Sequence, residues 1–456
     1  MKLFHILLGL LFIGVTTSCS QQFDDSSDII EGGLPTQTIG LTEPELLSIM
    51  YDSENDLSAS EVDSIISDFI TENKKTKDAD NFKLVSKENV VSSSTRSRQS
   101  APDHVTFYDY EIFSEGNTSG KAIVCGDKRF PSVLAYIDSY ESDNEAANIM
   151  IDNAKSQALK SISSIKHYED SLRNSTIDKI RTKTKIKGDF KYKDIESSIY
   201  LITTNTRGWA ITPGGTQRAI IGPLTSTQWN QDSPYNLYAP STVDTDNYFG
   251  AEYANRYPAG CVVVAMAQIA AWCKPNMTGI NWNIASVNKV SNPDSESAIQ
   301  IAKVISMIAK GSGTTYGPNG GSTSAEKAIN YMKTLGISID GAKDCNFQNV
   351  KPSLDALRLV LVTGTARKII TRGFNADGNH AWIIDGYQIR ERSNARTILK
   401  QYNTYCHCNF GWGGSSDGWY LFNSDGSISF SCNGFEWIEY QIYDYNLKAY
   451  PNVRIN

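Results

Sequence analysis

The sequence predicts an α+β protein, with a small α/β module ahead of a larger domain whose helical half precedes an antiparallel sheet half. Three observations carry this. CVVVAMAQIAAW (261–272) is apolar almost throughout, as a helix buried on every side would be. From residue 368 onward, KIITRGF (368–374), HAWIIDGYQI (380–389), ILKQYNTYCHCNFGW (398–412) and GWYLF (418–422) are β-branched and aromatic runs set between turn residues, the pattern of consecutive strands. Ahead of both, VTFYDYEIF (105–113) alternates in polarity and KAIVCGDKRFPSVLAYID (121–138) reads as strand, turn and strand, while residues 144–185 read as helix. Helices grouped before strands make the second domain α+β.

The connections follow from composition. Residues 20 to 45 are polar and read as a spacer, and residues 42–71 suggest two short amphipathic helices. SSSTRSRQSAP (92–102) is a serine-rich, basic linker ending in proline. TTNTRGWAITPGGTQRAIIGP (203–223) reads as an exposed connection that a peptidase would cut between Arg207 and Arg218. The expected units are therefore 1–18, 19–102, 103–207 and 219–456.

The first 18 residues are expected to be a signal peptide, with Lys2 ahead of an apolar run from Leu3 to Val15 that is too short to span a bilayer. TTSC before SQQFDDSSD resembles a lipoprotein processing site with Cys19 as the lipidated residue, although Thr16 stands where such sites usually carry leucine. The expectation is an exported protein, either secreted or held at the cell envelope (outer membrane or cell surface) through a lipid on Cys19.

A chain of 456 residues, 40% hydrophobic and 20% charged, has ample material for a core. Its formal charge of -7 argues against nucleic acid as a partner, because such proteins carry a basic face. Eight cysteines over this length are too sparse for a disulfide scaffold. CHC (406–408) places Cys406 and Cys408 on one face of a strand and His407 on the other, with no second Cys/His pair nearby to complete a zinc site. GGS (320–322) lacks the lysine of a phosphate-binding loop. Neither a metal nor a cofactor is expected.

Cys261 opens the apolar helix, directly after Gly260. A helix N-terminus carries about half a positive charge, which favours a thiolate there. Full ionisation at neutral pH raises the thiolate only about thirtyfold over the free amino acid, so the chemistry also needs an oxyanion donor. Of the five histidines, His5 lies in the leader and His104 and His167 in the first module, which leaves His380 and His407 for the second domain. His380 enters a buried strand just after DGN and is the better base, with Asn409 as the candidate to orient its ring. Cys, then His, then Asn, with separations of roughly 120 to 150 residues, is the order in papain-like peptidases.

WNQDSPYN (229–236), AGCVVVAMAQI (259–269), YGPNGGS (316–322), GNHAWIIDGY (378–387) and CNFGWGGSSDGWY (408–420) together resemble the streptopain family of bacterial cysteine peptidases. Residues 107–138 are similar to that family's inhibitory propeptide. The resemblance implies a two-lobed papain-like domain, with Cys261 on a helical lobe and His380 on an antiparallel β lobe, preceded by a propeptide at 103–207. It implies Cys261 as nucleophile, His380 as its proton-exchanging partner and Gln231 as oxyanion donor. Asn409 and Trp412 would orient the imidazole, and Ser322 and Asn379 would contact substrate. Phe410 stands where the family has a tryptophan beside the histidine, which puts one supporting contact in question, and Asn379 replaces the commoner glycine. The implied partners are protein or peptide substrates and the chain's own propeptide.

Each residue also has a plainer reading. Cys261 alone is an ordinary core cysteine, His380 a satisfied core histidine, Gln231 a turn residue, Ser322 part of a flexible loop and Trp412 core. The five blocks in order reverse this for Cys261 and His380. Two other functions use the same groove: an amidase acting on peptidoglycan or isopeptide bonds, and a non-catalytic surface module that binds protein or glycan.

Overall fold

The computed structural model describes residues 38–51, 54–73, 81–92, 103–113, 119–142, 144–202, 219–247, 249–367, 377–391, 402–422 and 447–456. Cys19, the leader, the Arg207–Arg218 stretch and the strand expected at 368–374 lie outside them. Helix and sheet are mixed as the sequence implies, and among the described residues no helix is long and apolar enough to cross a membrane.

Among the described residues, an 11-stranded sheet forms the backbone of the molecule. Along its path run Lys343–Asp344, Lys448–Tyr450, Val360–Arg367, Asp377–Glu391, Tyr402–Asn409, Gly418–Leu421, Ser132–Ile137, Ser119–Cys125, Asp103–Phe113 and Asn81–Ser92. Ile220–Ile221 adds to the side of Asp377–Glu391. The sheet therefore runs without a break from the second domain into the N-terminal module, through antiparallel pairing of Gly418–Leu421 with Ser132–Ile137.

The strands of the second domain bury both faces. Leu359, Leu361 and Ile383 lie in a helical core, while Val360, Val362, Trp382 and Ile384 lie in the core on the opposite face, as the period of two requires. The helical core is built around Cys261–Cys273, with nine consecutive buried residues from Val263 to Ala271. Glu296–Gly311 and Ala325–Thr334 pack around that helix, and both start on serine caps, Ser295 and Ser324. The cysteine helix also packs directly on Asp377–Glu391, which brings the two elements expected to carry the chemistry into contact.

The N-terminal module begins earlier than residue 103. Asn81–Ser92 pairs with Asp103–Phe113 along its whole length, and Ile39–Leu41 pairs in parallel with Ile199–Leu201. The two short helices expected within 42–71 are Glu43–Met50 and Ala59–Asn73. Residues 38–51, 54–73 and 81–92, which the sequence left unassigned, are thus folded with the module. The helix read over 144–185 is Glu145–Thr184, capped by the Asn144 side chain on the Ala147 N–H. Ala147, Met150, Ile151, Ala154, Ala158 and Ile162, which fall on one helical face, turn its first half onto the sheet. Ile165 and Ile180 pack its second half against Leu46, Leu47 and Ile49 of the first helix.

Candidate active site

Gly260 precedes the cysteine helix at φ 99°, a conformation L side chains rarely adopt. A Cβ there would lie 2.4 Å from the Gly321 carbonyl oxygen. The Gly321 N–H donates to the Pro258 carbonyl (3.0 Å), so Pro-Ala-Gly and the loop of Ser322 meet backbone to backbone. Cys261 is the first residue of the helix, and its N–H, like the first four of any helix, has no intrahelical acceptor.

The Cys261 sulfur and the His380 ring are hydrogen-bonded. Burial pushes the thiol up, but the hydrogen bond and charge of His380, with the N–H groups of Ala381 and Val262, outweigh it and hold Cys261 below its ordinary value. His380 Nε2 lies 3.0 Å from the Phe410 carbonyl oxygen. A carbonyl only accepts, so the proton sits on Nε2 and Nδ1 is left to face the sulfur. Aromatic rings enclose the imidazole: Trp382 stacks on it (6.2 Å, 20°), Trp412 meets it edge-on (6.0 Å, 76°), and Phe410 is tilted against it (6.5 Å). The contact questioned at Phe410 is therefore made by a smaller ring, which also packs on Trp382 and Tyr420.

Asn409 departs from the expected role. Its buried amide donates to the Thr227 carbonyl (2.6 Å), while its Oδ1 accepts from Gln268 Nε2 (3.1 Å) and the Gly411 N–H (3.1 Å). Nε2 of the imidazole is met by the carbonyl of the next residue instead. Strand alternation gives the reason: at the end of Tyr402–Asn409 the side chain turns toward the cysteine helix, and the chain then bends at Gly411 (φ 70°), presenting the Phe410 carbonyl to the ring. Asp417 fixes the same turn by accepting the Phe410 N–H (2.8 Å).

Gln231 is tied in through its main chain, with its carbonyl accepting the Ala259 N–H (2.9 Å) two residues before Cys261. The neighbouring Trp229 carbonyl accepts the Gly413 N–H (3.0 Å), so the Gln231 loop bridges the cysteine entry and the turn that follows Trp412. Ser322 is exposed at the end of the short strand Gly320–Ser322, beside Gly260. The backbone of Asn379 lies in the His380 strand, opposite Thr365, and its side chain is outside what the structure describes.

His407, the rejected base, is engaged elsewhere. Its Nδ1 bonds Asp385 Oδ1 at 2.6 Å, and its ring packs on Trp419. Burial alone would lower its pKa, and the Asp385 charge raises it instead. Cys406 and Cys408 lie on the other face with sulfurs 3.8 Å apart, and both are free thiols.

Residues 274–420 match the model of the Peptidase C10 family. Over these residues the chain is similar to the streptopain-family cysteine peptidases. The match begins just past the cysteine helix and takes in Ser322, Asn379, His380, Asn409 and Trp412. No curated protein matches the chain. Around this peptidase site the N-terminal module is close at hand: the Ser416 N–H donates to the Ser139 carbonyl, Ser416 Oγ accepts the Glu141 N–H (3.2 Å), and Glu141 lies near enough to Asp232 to raise its pKa. Burial is the larger cause of that rise, to about 6.

Sequence reasoning did not single out two groups that the structure places around the turn at Phe410. The Phe410 carbonyl is a backbone atom and carries no residue signature. Gln268 is concealed in an apolar run, although a lone amide among buried aliphatics is itself a signal that a buried partner exists.

Proposed function

We propose that the chain is an exported endopeptidase made as a zymogen, cutting peptide bonds through a thioester. The observation that carries this reading is the hydrogen-bonded Cys261–His380 pair, with Nε2 of the imidazole anchored on the Phe410 carbonyl. The Cys261 thiolate attacks the scissile carbonyl carbon, and the oxyanion that forms is held by the Cys261 N–H and Gln231. His380 gives its Nδ1 proton to the leaving amine as the C–N bond breaks, leaving a thioester. It then takes a proton from water, and the hydroxide displaces the Cys261 thiolate and releases the acid. Trp412 shields the ring, and Ser322 and Asn379 line the substrate side. A peptide-bond assay comparing wild type with Cys261→Ala tests this: hydrolysis is lost in the variant, and hydrolysis that survives removes the assignment. Turnover of cell-wall fragments but not of casein would identify an amidase, and no turnover of either a binding module.

The N-terminal module acts as the inhibitor in this reading. Support comes from Ser139, Glu141 and Asn144, which hydrogen-bond Ser415 and Ser416, and from the Glu141 charge, which acts on Asp232, next to Gln231. Release follows a cut in the Arg207–Arg218 stretch. A full-length protein as active as one cleaved there would refute inhibition. Export and lipidation rest on residues 1–19 alone, and incorporation of labelled fatty acid into wild type but not Cys19→Ala tests the anchor.

A further inference from the structure

We propose that Gln268 is a positioning residue for the His380 imidazole, acting through Asn409 and the peptide group between Phe410 and Gly411. The inference rests on the reading of Cys261 and His380 as the reacting pair.

Gln268 is completely buried in a helix whose other interior residues are apolar. A buried amide is costly unless its hydrogen bonds are made. Both ends of this one are used: Oε1 accepts Thr227 Oγ1 (2.9 Å) and Nε2 donates to Asn409 Oδ1 (3.1 Å). The orientation of the Asn409 amide is fixed by its neighbours, because Gly411 N–H can only donate to it and the Thr227 carbonyl can only accept from it. Gly411 N–H and Phe410 C=O belong to one peptide group. Asn409 therefore holds one side of that group while His380 Nε2–H bonds the other. The chain of contacts runs from Gln268 to Asn409, across one peptide, to the imidazole.

This geometry gives both reacting groups a single reference. Cys261 is the first residue of the helix, and Gln268 lies about two turns further along it. The turn at Gly411 sits directly on that helix, where an added Cβ would lie 3.0 Å from Val264 Cγ1. The sulfur is thus carried by one end of a rigid rod, and the anchor of the ring is bolted to its middle. Hydrogen bonds in series polarise one another, so the donor from Gln268 also strengthens the hold on Gly411.

The test uses the full chain and follows the rate of iodoacetamide modification at Cys261 by peptide mapping across pH, with melting temperature recorded in parallel. The variants are Gln268→Met, Asn409→Ala and the two combined. Cys273, half-buried and pushed up to about 11 by burial, is the internal control for an unactivated thiol. In Gln268→Met the midpoint of Cys261 labelling moves to higher pH and the rate at mildly acidic pH falls about tenfold, while the double variant is no worse than Asn409→Ala alone. A folded Gln268→Met with an unchanged midpoint, whatever its melting temperature, overturns the proposal, and so do shifts that add. Should Gln268→Met not fold, Thr227→Val removes only the hydroxyl that holds Oε1. The midpoint then moves the same way but less, and an unchanged midpoint overturns the proposal. A wild-type Cys261 that labels like Cys273 would instead remove the reacting pair, and this inference with it.

Discussion

Replacing Gly260 with alanine tests whether the site depends on close backbone approach. The new Cβ would stand 2.4 Å from the Gly321 carbonyl oxygen and 3.0 Å from its carbon, and neither atom belongs to a side chain able to swing aside. Holding a non-glycine residue at φ 99° costs about 1–3 kcal/mol. Relieving the overlap by shifting packed backbone costs about 1–3 kcal/mol more. The total, about 2–6 kcal/mol, is a large part of the roughly 5–15 kcal/mol that typically separates folded from unfolded chains. Relaxation can take only two routes. Either the Gly320–Ser322 strand retreats from the cysteine entry, or the helix start rotates and carries the sulfur off the imidazole. Thermal unfolding of the full-length variant, together with the iodoacetamide rate at Cys261, reads both. We expect a melting temperature lower by several degrees and slower labelling at mildly acidic pH. A variant that melts within about 1 °C of wild type and labels at the same rate would show that the contact between the two loops is not tight.

Other outcomes follow from the same geometry. Because Cys261 is held below its ordinary value, its labelling should persist as pH falls below the range where free thiols react, and His380→Ala should return it to ordinary behaviour. Asp417 is pushed up to about 7, chiefly by burial. With its folded value raised, the stability it confers is complete below about pH 4 and is lost as pH rises through 7. Asp417→Asn still accepts the Phe410 N–H but does not titrate. Its stability relative to wild type should rise between about pH 4 and 7, by at most a few kcal/mol given that the residue is only half-buried; a pH-independent difference in urea unfolding would contradict the assignment. Trp412→Ala removes the edge-on ring from His380, and peptide hydrolysis should fall by about twofold to tenfold on the value of one aromatic pair. Hydrolysis equal to wild type would mean the indole plays no part in holding the imidazole.

What the sequence revealed, and what it concealed, has a physical pattern. The cysteine helix and the histidine strand were legible because burial on all sides and strand alternation both leave periodic marks, as Val263–Ala271 and Leu361 against Val360 show. Asn81–Ser92 was not legible, since as the outermost strand it leaves Lys83, Val85, Ser86 and Lys87 exposed and alternates only weakly. Within the site, Cys261 and His380 were readable by residue type and order. The orientation of the ring was not, because it depends on a main-chain carbonyl, that of Phe410, and the neighbouring Asn409 is tied to two residues distant in sequence, Thr227 and Gln268. Asn409 was expected to meet the ring directly, whereas its side chain bonds Thr227, Gln268 and the Gly411 N–H, and the ring is met by the carbonyl of the next residue.

The pairing of Gly418–Leu421 with Ser132–Ile137 has a consequence for any separated form of the protein. Gly418 lets the two strands close, since a Cβ there would meet the Tyr136 carbonyl at 2.4 Å. Once the partner strand departs, a row of amide and carbonyl groups loses its mates and the apolar residues beneath lose their cover. Such a border recruits whatever extended chain comes by, including a second copy of itself. A liberated catalytic half would therefore tend to keep its former companion bound after the covalent link is gone, or to clump once stripped of it.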